Sequence, residues 1–98
     1  MKTFATFALW LACTVVLAVA ADSYQVTKRI PVPGEGSWDY LTIDEGARRL
    51  YVSHGTQVEV LDIDAGSVVG KIGDTPGVHG IAIAPELGRG FVSNGLRP

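Results

Sequence analysis

Two histidines and one carboxylate are the residues in this 98-residue chain best suited to chemistry, His54, His79 and Asp39. A histidine pair beside an aspartate could ligate a metal or divide acid and base roles. The commoner role for such histidines is to close strand ends and bond backbone groups. No His-x-His or close His/Cys spacing supports a metal, so no metal ligand, catalytic residue or cofactor is assigned. Trp38, Thr56 and Asn94 complete the set of polar or aromatic residues that the topology below gathers at one end. Trp38 could stack on a ligand, although such an aromatic more often packs within the protein. Asp39 is better suited to bonding a connecting loop than to catalysis.

Other candidate motifs fail on spacing. Asp62 and Asp64 resemble the start of a calcium loop, which needs Gly at its sixth position and Glu at its twelfth. Here Gly66 is fifth and Gly73 twelfth, so an Asx-type turn between two strands is expected. "GDTPGVHG" lacks the Gly-Lys-Ser/Thr ending of a phosphate loop and no helix follows it. There is no Gly-x-Ser-x-Gly elbow, no Asn-x-Ser/Thr sequon and no haem-attachment pattern.

These residues must be positioned by strands. Beyond Ala21, short β-branched or aromatic runs alternate with Gly, Pro, Asp and Asn clusters. The runs are "YQVTKRIPV", "DYLTI", "RLYVS", "QVEVLDI", "SVVGKI", "GIAIA" and "GFVSN". "RRLYVSHG" at Arg48–Gly55 returns as "GRGFVSNG" at Gly88–Gly95, forty positions later, and Leu41-Thr42-Ile43 returns as Ile81-Ala82-Ile83. A period of about 40 to 45 residues holding four short strands is the size of one β-propeller blade. Such a blade repeats because it cannot bury both its faces alone.

The pieces "LTIDEGARRLYVSHG", "VEVLDIDAGSVVGKI" and "TPGVHGIAIAPELGRGFVSNG" resemble the YVTN-repeat β-propeller family, in particular its secreted YncE-like members. The tetrapeptide Phe91-Val92-Ser93-Asn94 follows the family pattern, whereas the first copy has His54 in place of Asn. The resemblance implies an all-β propeller of four-stranded antiparallel blades, of which about one and a half are present. Residues 24–32 would form the outer strand that closes the ring, 38–72 the first blade, and 79–98 the start of the second, as the front end of a longer protein. Alone, such a piece is expected to expose a strand edge and an uncovered face, with poor stability or aggregation. The implied role is a binding scaffold for a small molecule or protein, with Trp38, Asp39, His54, His79 and Asn94 around the channel mouth. Related propellers include lactonases and dehydrogenase-like proteins, which makes an enzyme the alternative.

Residues 1–20 read as a secretory signal peptide: Lys2, an apolar run from Phe4 to Ala20, and small residues at Ala18 and Ala20. A retained anchor is the rival, since the run is near the lower limit of roughly 17 residues for a spanning helix. Cys13 lies too early for a lipoprotein cysteine. The expected product, residues 21–98, has no cysteine, no stable membrane span, and a periplasmic or secreted destination. Lys2 is the only charged residue removed, so the net charge of −2 becomes −3. No basic stripe exists, and nucleic acid is not indicated as a partner.

Overall fold

Alternating apolar residues and Asp/Gly turns produce six strands in a computed structural model that describes residues 22–96. The expected signal peptide lies outside the described residues. Strands β1 (Trp38–Asp44), β2 (Arg49–His54), β3 (Gln57–Asp62) and β4 (Ser67–Ile72) form one antiparallel sheet in chain order. Strands β5 (Val78–Ala84) and β6 (Arg89–Asn94) form a second, two-stranded antiparallel sheet. A single 3-10 turn, Pro85–Leu87, joins them. The fold is all-β, and its two sheets are open.

Aspartates set the hairpins. Asp44 Oδ1 accepts the Ala47 N–H at 3.1 Å, and Asp62 Oδ1 accepts those of Asp64 and Ala65 at 3.0 and 2.9 Å. "DIDAG" is therefore an Asx-type turn, with the Asp62 side chain bonding its own backbone. The β1–β2 turn needs a left-handed residue at Arg48 (φ 56°), where the second copy has Gly88 (φ 63°). Arg48 offsets that strain in part through two bonds to Asp64, at 3.1 and 2.7 Å.

The repeat holds residue by residue. In the first sheet Trp38 faces His54, a bulge follows, and Leu41, Thr42, Ile43 and Asp44 face Val52, Tyr51, Leu50 and Arg49. In the second, Val78 faces Asn94, a bulge follows, and Ile81, Ala82, Ile83 and Ala84 face Val92, Phe91, Gly90 and Arg89. Each pair and the bulge recur at an offset of forty, so His54 and Asn94 are equivalent, as are Asp39 and His79.

Strand alternation sorts the first sheet into two faces. One carries Leu41, Ile43, Leu50, Val52, His54, Glu59 and Leu61, and is here named the Leu41 face. The other carries Thr42, Tyr51, Ser53, Val58 and Val60, and is named the Tyr51 face. The second sheet packs its Ile81/Val92 side onto the Tyr51 face, with β5 lying against β1 and β2. Two hydroxyls bond across this joint: Thr42 Oγ1 donates to the Ile81 carbonyl at 2.8 Å, and Ser53 Oγ to the His79 carbonyl at 2.5 Å. Val52, Val58, Leu61 and Val78 are the buried apolar residues.

The run at 24–32, expected as an outer strand, pairs in neither sheet. It crosses the Leu41 face as an extended strap, with Ile30, Val32 and Gly34 over Leu50, Val52 and Leu61. No ladder holds it there, although the outer sides of β1 and β4 are free edges of that sheet among the described residues. Lys28 Nζ fastens it instead, donating to the carbonyls of Ile63 and Asp64 at 3.0 and 2.9 Å.

Candidate functional site

All five candidates lie at one end of the two sheets. Trp38 and Asp39 begin β1, His54 ends β2, His79 follows the first residue of β5, and Asn94 ends β6. The β2–β3 turn, with Gly55 and the exposed Thr56, closes the same end, and the chain entering β5 bonds to it. Thr75 N–H donates to the Thr56 carbonyl and Gly77 N–H to the Gly55 carbonyl, both at 3.0 Å. Gly77 then accepts Gly95 N–H at 2.8 Å, which ties β6 to the same rim.

The histidines are not a pair. His54 is buried on the Leu41 face, 5% exposed, with its ring stacked on Trp38 at a centroid distance of 3.6 Å and an interplanar angle of 8°. Its Nδ1 lies 3.1 Å from Glu59 Oε1 and its Nε2 lies 2.7 Å from the Glu35 carbonyl. Gln57 Nε2 donates to the same Glu59 oxygen. Burial pushes the Glu59 carboxyl up, but the bonds from His54 and Gln57, with the charges of His54 and Lys71, outweigh it and hold Glu59 below the usual glutamate value. Glu59 is thus a carboxylate, and a carbonyl only accepts. The Glu35 carbonyl therefore faces one ring nitrogen and the Glu59 carboxylate the other, and the imidazole is held on both sides beneath the Trp38 indole. A ring with both nitrogens engaged and no solvent has neither a lone pair for a metal nor room for a substrate.

Gly34 allows this arrangement. Its φ of 128° and the closeness of the His54 ring leave no space for a Cβ, so the strap presses onto the imidazole only with glycine there. Trp38 therefore packs, but on His54 within its own sheet, and remains 42% exposed. Glu59 is the residue sequence reading missed. In "QVEVLD" it occupies an alternating polar position that reads as solvated, yet it is buried against His54 and Gln57.

His79 and Asp39 form the open part of the site. His79 Nδ1 and Asp39 Oδ2 are 2.5 Å apart and bridge the two sheets, with side chains 58% and 40% exposed. Asp39 thus bonds the next repeat rather than its own connecting loop. Gly95 lies under the ring, where a Cβ would come within 3.0 Å of Nε2. Asn94 is not part of this opening; it is half-buried opposite Val78, and its Oδ1 has no hydrogen-bond partner among the described residues. Among the described residues no group of three or more His, Cys, Asp and Glu is placed to hold a metal, and no helix is long and apolar enough to cross a membrane. Between the sheets lies an apolar cleft, lined by Tyr51, Ile81, Ile83 and Val92, that runs to the opposite end at Pro85 and Arg89.

The exposed Asp39–His79 bridge should contribute little to stability. A double-mutant cycle with Asp39→Asn and His79→Gln, read by chemical denaturation, is expected to give a coupling of about 0.2–1 kcal/mol. A coupling well above that would show the bridge to be a main support of the joint.

Comparison with protein-family models, curated proteins and solved structures finds no match to this chain.

Proposed function

We propose that the chain is an exported repeat scaffold of β-propeller type whose rim around Trp38, Asp39 and His79 binds a small polar ligand or a peptide. One observation carries the reading. Two sheets of identical register, joined face to face, bring an exposed indole edge, a carboxylate and an imidazole to the same end. A polar group in a ligand could exchange with the Asp39–His79 bond while its apolar part rests on Trp38. His54 and Glu59 act beneath the rim as the support that fixes Trp38. Pairing of His79 Nδ1 with Asp39 leaves Nε2 directed away from that bond, which also suits an acid–base role in the enzyme alternative.

The reading is tested by expressing the gene with its own leader. Mass spectrometry of the exported chain should find an N-terminus at Ala21. Backbone amide shifts are then recorded against a panel of small carboxylates, simple sugars and short peptides. Binding should move the amides of Trp38, Asp39 and His79 first. Shifts confined to the apolar cleft at the other end would refute the rim as the site. Turnover of a simple lactone, lost in His79→Gln, would favour the enzyme.

A further inference from the structure

Asn94 is the only asparagine of the chain, and the residue after it is glycine. The backbone nitrogen that follows an asparagine is a nucleophile for the side-chain amide carbon, and glycine has no Cβ to hinder the approach. A folded strand suppresses this reaction by holding both groups in place. What holds them here decides whether it runs.

Little holds the amide. Asn94 ends β6, and its Oδ1 is shut off from solvent with no hydrogen-bond partner among the described residues. A buried oxygen of that kind already bears the cost of its lost hydration, so turning toward its own backbone sacrifices no bond at that atom. His54, at the equivalent position, is the contrast, with an acceptor facing each ring nitrogen.

The attacking residue is within reach of water. Gly95 is exposed, and its N–H is tied by one bond, to the Gly77 carbonyl at 2.8 Å. The next tie, from Leu96 N–H to the Pro76 carbonyl, is longer at 3.3 Å. Both lie in a turn beyond the end of β6, where backbone bonds open more readily than inside a ladder.

A base stands over it. The His79 ring covers Gly95 so closely that a Cβ there would lie 3.0 Å from Nε2 and 3.1 Å from Cδ2. Asp39 takes the other ring nitrogen, Nδ1. A carboxylate only accepts, so in the neutral ring the proton sits on Nδ1 and the lone pair on Nε2, beside Gly95.

We propose that Asn94–Gly95 is a site of self-deamidation assisted by His79. Once the Gly77 bond opens, Nε2 takes the Gly95 amide proton and the amide nitrogen bonds to Asn94 Cγ. The proton passes to the leaving nitrogen, the Cγ–Nδ2 bond breaks, and ammonia departs from a cyclic imide. One water then opens the imide at either carbonyl, giving aspartate or isoaspartate. The balance is one water consumed and one ammonia released, with no change of oxidation state. In isoaspartate the main chain runs through Cβ and Cγ and is one atom longer. Gly95 then no longer meets the Gly77 carbonyl, and the rim beneath His79 loosens irreversibly. The site is independent of what the rim binds.

Peptide mapping of the purified chain held at neutral pH tests it, with the aspartate and isoaspartate forms resolved from the asparagine peptide. The folded chain should convert at Asn94. His79→Gln should slow that conversion by about tenfold, less than a fully aligned base supplies, because the Gly77 bond must open first. Unfolded in guanidinium, the two chains should convert at the same rate, which separates the imidazole over Gly95 from the reactivity of the dipeptide itself. If His79→Gln fails to fold, Asp39→Asn takes its place, since it removes the carboxylate that fixes the tautomer. Asn94 persisting in the folded chain while the unfolded chain converts would overturn the proposal. Equal rates in the folded native chain and the folded variant would do the same.

Discussion

Glu59→Ala should lose about 1–3 kcal/mol of stability, a large share of the total in a domain of this size. The substitution leaves His54 Nδ1 buried beneath Trp38 and the strap with no partner, while Gln57 loses its acceptor. Glu59→Gln, which keeps an acceptor for the ring but removes the charge, should fall between the native chain and Glu59→Ala. The same residue gives a pH dependence with a fixed sign. Its folded pKa is depressed, so the unfolded chain takes up the proton first as pH falls. The stability contributed by Glu59 is fully present above the ordinary glutamate value and is lost as pH falls through the folded one. Urea midpoints measured across that acid range should fall steeply for the native chain and more shallowly for Glu59→Gln. Equal slopes would show that the carboxylate is not the group being titrated.

Leu61→Ala is expected to cost about 2–5 kcal/mol. Leu61 is 1% exposed, and the strap forms one wall of its surroundings, with Ile30, Val32 and Gly34 across the face from it. A strap fastened through Lys28 can settle into part of the space, so the loss should lie in the lower half of that range. Guanidinium denaturation gives the value directly. Amide exchange should at the same time accelerate in residues 28–36, because removing the leucine removes what the strap rests on. A loss below about 1 kcal/mol would show that Leu61 is covered without being packed.

Much of this architecture is legible in the sequence because it is written in local chemistry. Asp44 and Asp62 announce the hairpins, Gly88 marks the left-handed position that Arg48 fills in the first copy, and the runs between them alternate as strands do. The spacing of "RRLYVSHG" and "GRGFVSNG" even gives the register, since equivalent residues take equivalent partners. The strap is illegible for the opposite reason. "YQVTKRIPV" has strand composition, but whether it pairs depends on a free ladder edge elsewhere, which no local pattern encodes. The candidate site divides in the same way. The position of His54 at the end of β2 follows from the repeat, whereas its burial depends on Gly34 and Glu35 returning over it from twenty residues upstream. Glu59 looks solvated until its contacts with His54 and Gln57 are known. Asp39 and His79 stand at equivalent positions of successive repeats, so their contact is a product of how the sheets stack and not of any motif.

The hydroxyl bonds between the sheets have a consequence for how such a chain can change. Thr42 and Ser53 both reach across to carbonyls, of Ile81 and His79, and a carbonyl is supplied by every residue type. One side of the seam is thus blind to sequence: the second sheet can alter its side chains at 79 and 81 without giving up either bond. Aspartate stands in one copy and histidine in the next at an exposed position of the rim, and neither hydroxyl bond depends on which side chain is there. Repeats joined in this way can drift apart where they meet solvent while staying in step where they meet each other.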